Sequence, residues 1–146
     1  MINKFVYTWD FFEEDVTKLL KLIEYGSYDM LIRVVTGGLP LLTKIHNATK
    51  IPYEIVKCSS YDEETKKFFH MEFGIPFIGG KKVLVLDDVS DTGETLQKVV
   101  EKCRELGTKD IVVDTATLCV KTGTTFWPNW YGRIVEKYDW IHFAWE

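Results

Sequence analysis

The chain has 146 residues, 46% hydrophobic and 27% charged, with a net charge of −4, the balance of one compact domain with an ordinary core. Acidic and basic residues are mixed along the chain, which argues against nucleic acid as a partner, because phosphate backbones call for a concentrated basic face. No long uncharged apolar run occurs, and the opening MINKFVYTWDFFEEDV lacks the apolar core and cleavage site of a signal peptide, so no membrane association and a cytoplasmic location are expected.

In chain order, Phe5–Thr8 is a short β-like run, and Trp9-Asp10 opens a helical pattern reaching about Tyr25. Phe12, Val16, Leu19, Leu20 and Ile23 fall at helical spacing, and Gly26 suits the stop. Met30–Val35 reads as a buried strand ending in Thr36-Gly37-Gly38, and Leu39–Ala48 as a short helix. Tyr53–Cys58 is another strand. Ser59–Lys81 has poor periodicity, many charges and three glycines near its end, which predicts a long mobile excursion of the functional kind. Lys82–Leu86 is the strongest strand, Gly93–Leu106 a helix closed by Gly107, and Ile111–Ala116 the next strand. Cys58, Cys103 and Cys119 are odd in number and far apart, without C-x-x-C spacing, and are expected to be reduced core residues. Strands alternating with helices imply an α/β fold, a central and mainly parallel sheet flanked by helices. Ligands of such sheets bind outside the carboxyl ends of the strands, where both conspicuous polar turns, 36–38 and 87–95, fall.

The second of these turns carries the chemistry. Placing Asp87 and Asp88 side by side at the end of an apolar strand is electrostatically costly unless cations or hydrogen-bond donors meet them. Ribose hydroxyls and Mg²⁺ would do so. The residues that follow, Val89-Ser90-Asp91-Thr92-Gly93-Glu94-Thr95, supply hydroxyls, a glycine and a helix start, a combination that favours a phosphate. Competing motifs fail on spacing. Gly79-Gly80-Lys81-Lys82 precedes a strand rather than a helix, as an NTPase phosphate loop would not. Asp87-Asp88-Val89-Ser90 lacks the one-residue gap between acids of an aspartyl-phosphate phosphatase. Lys121-Thr122-Gly123-Thr124 lacks an aspartate before the lysine.

Val83–Thr95 resembles the PRPP-binding signature of the type I phosphoribosyltransferases, and the likeness extends along most of the chain. It is nearest to the short xanthine-guanine and hypoxanthine-guanine enzymes. Tyr7-Thr8-Trp9-Asp10, Ser59-Ser60-Tyr61-Asp62 and the ending Trp140-Ile141-His142-Phe143-Ala144-Trp145-Glu146 support it. The resemblance implies a single domain, with a core of about 27–118 and a small hood made by the first few residues and about 119–146. It implies that Asp87 and Asp88 hold the ribose hydroxyls and the Mg²⁺ shell of PRPP, and that Asp91, Thr92, Gly93, Glu94 and Thr95 cradle the 5′-phosphate. Asp91 also takes the position of the general base near purine N7. Thr36, Gly37 and Gly38 form the pyrophosphate loop, and Ser60-Tyr61 closes over pyrophosphate within a lid at 59–80. By the same resemblance Lys121 would donate to the 6-oxo group of the purine, Trp140 would stack on its face, the Ile141 backbone would meet its edge, and Glu146 would lie near a second Mg²⁺. The implied partners are PRPP, a 6-oxopurine base and pyrophosphate, in a homodimer or homotetramer.

Two departures from the pattern stand out. The family's pyrophosphate loop carries a basic residue before its two glycines, where this chain has Thr36; Arg33, three residues upstream, and Lys44 are no clear substitutes. Lys121 is followed by Thr122-Gly123, and Thr124–Arg133 is rich in aromatics; this segment either reshapes the hood or faces a partner subunit. The expected function is therefore purine salvage by phosphoribosyl transfer. The alternative is a PRPP- or nucleotide-sensing regulator without turnover, which the neutral Thr36 would suit.

Overall fold

The structure, a computed structural model, describes residues 3–35, 38–63, 66–74, 78–80 and 82–146, and within them the side chains outside 59–70. In chain order its main elements are β1 (Lys4–Tyr7), α1 (Trp9–Leu22), β2 (Met30–Val35), α2 (Leu39–Thr49), β3 (Tyr53–Glu63) and β4 (Lys66–Phe73). They continue with β5 (Lys82–Ser90), α3 (Glu94–Leu106), β6 (Val112–Lys121), β7 (Trp130–Val135) and β8 (Trp140–Phe143). The main sheet has six strands in the order β4-β3-β2-β5-β6-β7. All its pairs are parallel except β3–β4, so the chain forms the mainly parallel α/β sheet that its alternating pattern implies. β1 and β8 form a separate parallel pair.

The apolar runs of β2 and β5 bury both faces, as central parallel strands require. Leu31, Leu84 and Leu86 pack with Phe12, Val16 and Leu19 of α1 and with Leu41, Leu42 and Ile45 of α2. Ile32, Val34, Val83 and Val85 turn the other way, onto Leu96, Val99, Val100 and Cys103 of α3. No helix among the described residues is long and apolar enough to cross a membrane. The cysteines are free, and burial raises all three thiols, Cys58 to about 11.

Thr8 caps α1, its hydroxyl accepting the Phe11 N–H at 3.2 Å. The helix stops at Leu22 rather than near Tyr25, because Ile23 turns extended and the Tyr25 hydroxyl folds back to donate to Leu19 O at 3.0 Å. A buried polar lock joins α1 to the sheet. Asp15, 3% exposed, accepts the Tyr7 hydroxyl at 2.6 Å and Arg133 Nε at 2.8 Å. Burial first, and then Asp15, hold the Tyr7 hydroxyl far above its usual range, so it remains a donor.

Three expectations are corrected. Within 59–81, residues 59–63 and 66–73 are not irregular: β3 runs on to Glu63 and pairs antiparallel with β4, from Val56↔Phe73 through Glu63↔Lys66. The charges that suggested a loop lie in a register that sets Asp62 opposite Lys67 and Glu63 opposite Lys66, an arrangement that suits an antiparallel ribbon. β5 and β6 outrun their predicted ends at Leu86 and Ala116 because each supplies the other's hydrogen bonds as far as Ser90↔Val120. Trp130–Val135, read only as part of an aromatic segment, is the parallel edge strand β7, registered from Ala116↔Trp130 to Lys121↔Val135.

Candidate active site

β2 is registered with β5 only as far as Arg33↔Leu86, whereas β6 continues alongside β5 to Ser90. The sheet therefore opens on one side of β5 where Asp87 and Asp88 stand. Gly38 closes that side. It has φ +78°, and a Cβ there would lie 3.1 Å from Leu86 O, 3.4 Å from Asp87 Cα and 3.5 Å from Arg33 Cγ. Glycine meets both demands, a left-handed backbone and a close approach.

Asp87 is 7% exposed, and its Oδ1 accepts the Asp88 N–H at 2.8 Å. Burial, then the neighbouring Asp88 charge, pushes the Asp87 carboxyl well above the usual carboxylate range. Burial also raises Asp88; the hydrogen bond from Asp87 offsets part of this, and the Glu146 carboxylate adds to it. The pair is thus under-compensated, which is the condition that invited a cation and ribose hydroxyls at the outset. Among the described residues no three acidic, histidine or cysteine side chains gather into a metal cage. Mg²⁺ does not ask for one, since it keeps its waters and takes one or two carboxylates beside substrate phosphates. Asp87 and Asp88 fit such a role, with Glu146 close enough to act on Asp88.

Beyond Ser90 the chain turns through Asp91, Thr92 and Gly93 into α3. Gly93 has φ +92° and precedes the first helical bond, Gln97 N–H to Gly93 O at 3.0 Å. The N–H groups of Thr95 and Leu96 lie before that bond and must find acceptors outside the helical ladder; Glu94 N–H has the Thr92 hydroxyl at 3.3 Å. A helix start of this geometry and dipole favours an anion.

Lys121 ends β6, nearly buried at 6% exposure, with its Nζ 3.4 Å from Asp91 Oδ2. A strand end and a loop far apart in sequence thus bring the proposed base and the proposed oxo-group donor together. The turn after β7 is tied to the same place: Thr122 N–H donates to Val135 O at 3.0 Å and Lys137 N–H to Thr122 Oγ1 at 3.0 Å. It delivers Trp140 at the start of β8, where the ring is 64% exposed while Ile141 beside it is buried. Trp145 and Trp130 instead pack against the core, Trp145 meeting Tyr7, Trp9, Phe12 and Phe143. Trp140 is left with an open face.

Thr36 and Gly37 lie outside the described residues. Ser60 and Tyr61 are in β3, registered with Phe69 and Phe68, and their side chains are outside the described ones. The sequence assigns Thr124–Arg133 to the hood or a partner subunit but does not reveal that Thr124–Phe126 folds back across residues 90–93. Ser90 Oγ shares a 3.0 Å bond with Thr124 Oγ1 and donates to Phe126 O at 2.9 Å. Thr125 donates to Thr92 O from both its N–H and its hydroxyl, each at 2.9 Å. The only local signal was a pair of threonines, which says nothing about what they meet.

Residues 6–146 match the family model described as phosphoribosyl transferase domain. An orotate phosphoribosyltransferase of Sulfolobus acidocaldarius is 30% identical over 100 residues, covering 68% of this chain and 48% of that protein. A hypoxanthine/guanine phosphoribosyltransferase of Methanotorris igneus is 28% identical over 109 residues, covering 68% of this chain and 60% of that protein. The chain thus spans between about half and three fifths of the length of these relatives. The crystal structure of a purine phosphoribosyltransferase from Pyrococcus horikoshii superposes with a TM-score of 0.86 at 31% identity, covering 98% of this chain and 94% of that one.

Proposed function

The chain belongs to the phosphoribosyl transferase domain family, and on that premise we propose that it moves the 5-phosphoribosyl group of PRPP to a 6-oxopurine, giving the nucleoside 5′-monophosphate and pyrophosphate. The observation that carries the choice of base is the Lys121–Asp91 pair, 3.4 Å apart, together with the exposure of Trp140. An ammonium donor held at the base site suits a 6-oxo acceptor and opposes adenine, whose 6-amino group is itself a donor. An exposed indole offers a stacking platform.

In the proposed reaction purine N9 attacks C1′, the C1′–O bond to pyrophosphate breaks, and pyrophosphate leaves with the electron pair. Asp91 takes the proton that N7 loses, a role open to a carboxylate within hydrogen-bond reach. Asp87 and Asp88 hold the ribose hydroxyls, and the loop from Asp91 to Thr95 holds the 5′-phosphate, fixing C1′ relative to the base. Mg²⁺, held at Asp87 and Asp88 with Glu146 nearby, would neutralise charge on the leaving pyrophosphate. Thr36, Gly37 and Gly38 would meet that pyrophosphate, and Ser60 and Tyr61 on the β3–β4 hairpin would cover it and exclude water. A homodimer or homotetramer in the cytoplasm completes the proposal.

The test is direct incubation with PRPP, Mg²⁺ and, separately, guanine, hypoxanthine, xanthine, adenine and orotate, followed by nucleotide detection. Product with an oxopurine is expected. Product with orotate alone would reassign the base, as the likeness to an orotate enzyme allows. PRPP binding without any product would support a sensing protein instead, the reading that the neutral Thr36 favours.

A further inference from the structure

We propose that Thr125 is a positioning residue that aims the backbone N–H of Gly93 into the phosphate site. The proposal rests on the reading of Asp91–Thr95 as the 5′-phosphate cradle and assigns a device that sets its geometry. The peptide unit joining Thr92 to Gly93 is planar, and in the trans form its C=O and N–H point in opposite directions. Thr125 grips one end of that unit twice, its N–H and its Oγ1 each lying 2.9 Å from Thr92 O. With the carbonyl turned toward Thr125, the N–H of Gly93 is turned away from it.

What holds Thr125 in place is itself fixed. The preceding Thr124 is 8% exposed and tied to Ser90, and its N–H donates to Lys121 O at 3.0 Å. The following Phe126 places its carbonyl 2.9 Å from Ser90 Oγ. Gly93 cannot drift toward this strap, since a Cβ there would already sit 2.5 Å from Phe126 N and 2.8 Å from Thr124 Oγ1. Thr125 itself is exposed, so core packing does not account for its hydroxyl. The strap begins where Lys121 ends, so the base site and the phosphate loop are built on one continuous piece of backbone.

Calorimetric titration of the whole protein with ribose 5-phosphate and, separately, with pyrophosphate and Mg²⁺ tests this. Thr125→Val removes the hydroxyl bond at nearly constant volume, and ribose 5-phosphate affinity is expected to fall about fivefold, the worth of one hydrogen bond of roughly 1 kcal/mol. Pyrophosphate affinity should not change, and Thr125→Ser should restore the wild-type value. In turnover the PRPP KM should rise with kcat preserved. Unchanged ribose 5-phosphate affinity in Thr125→Val, equal loss for both probes, or failure of the serine variant to restore binding would each overturn the inference. Wild-type protein that bound neither PRPP nor ribose 5-phosphate would overturn the proposed function, and this inference with it; normal wild-type binding matched by Thr125→Val overturns this inference alone.

Discussion

Asp87-Asp88 and Ser90–Gly93 are near neighbours on one strand and its exit, yet the fold treats them in opposite ways. The loop is tied down: Ser90 bonds to Thr124 and Phe126, and Thr92 O takes two bonds from Thr125. The acid pair is left under-compensated, one carboxyl nearly buried and both raised. The difference separates two ways of readying a site. Neutral backbone donors gain from being fixed in advance, because fixed dipoles need no reorganisation when charge arrives. Carboxylates that must meet a cation gain from being left in want of one, because the missing interaction is then supplied by the ligand.

Asp91 sits at the boundary between the two regimes, and substituting it has the largest expected effect. Asp91→Asn should lower kcat by about 10²–10⁴-fold, the usual worth of a general base, with little change in PRPP binding; single-turnover assays with a binding titration separate the two. The tied side can be broken at Gly93. Gly93→Ala meets both a left-handed φ and the Phe126 backbone, and should lower Tm by roughly 4–8 °C, as about 2 kcal/mol would in a chain of this size. An unchanged Tm would show that the strap yields and that the loop is no more firmly held than the acid pair.

The strained side should respond in the opposite sense. Asp87→Asn keeps an acceptor for the Asp88 N–H and removes the buried charge, so the ligand-free protein should gain about 2–4 °C in Tm at neutral pH while losing transferase activity. The sign follows from linkage. A carboxyl whose folded pKa is raised contributes stability below its unfolded pKa and loses it as pH rises through the folded value. The advantage of Asp87→Asn over wild type should therefore shrink as pH falls toward 4, the ordinary aspartate range; differential scanning calorimetry across pH reads this. The smallest effect is expected at the proposed pyrophosphate loop, where Thr36→Arg should lower the PRPP KM by about fivefold, the equivalent of roughly 1 kcal/mol for one ion pair. Steady-state kinetics that left this KM unchanged would show that the site does not miss the charge, a result that would point to Arg33, whose Cγ lies beside Gly38.

What could be read in the sequence was local. Val83–Leu86, the acids after it and the glycine before α3 announce themselves within a few residues, because a buried strand, a charge problem and a left-handed turn are each short-range facts. Strand ends were not legible, since β5 and β6 extend one another and neither reveals its length alone. The same holds for β4, whose charges make sense only opposite β3. The strap and the polar lock were least visible, with Ser90 and Thr124 34 positions apart and Arg133 meeting Asp15 across 118. Threonine and arginine in those places carry no mark of their partners.

The pairing of β1 with β8 has a kinetic corollary. Lys4↔Trp140 joins nearly opposite ends of the chain, so closing it costs more loop entropy than any helix or adjacent strand pair. Such a contact is expected to form after the main sheet is assembled. Loop closure thus predicts that the β1–β8 pair opens before the main sheet on heating, which amide hydrogen exchange in β1 and β8 would read. A partly folded chain would then hold the turn from Asp91 to Gly93 before it held the exposed face of Trp140.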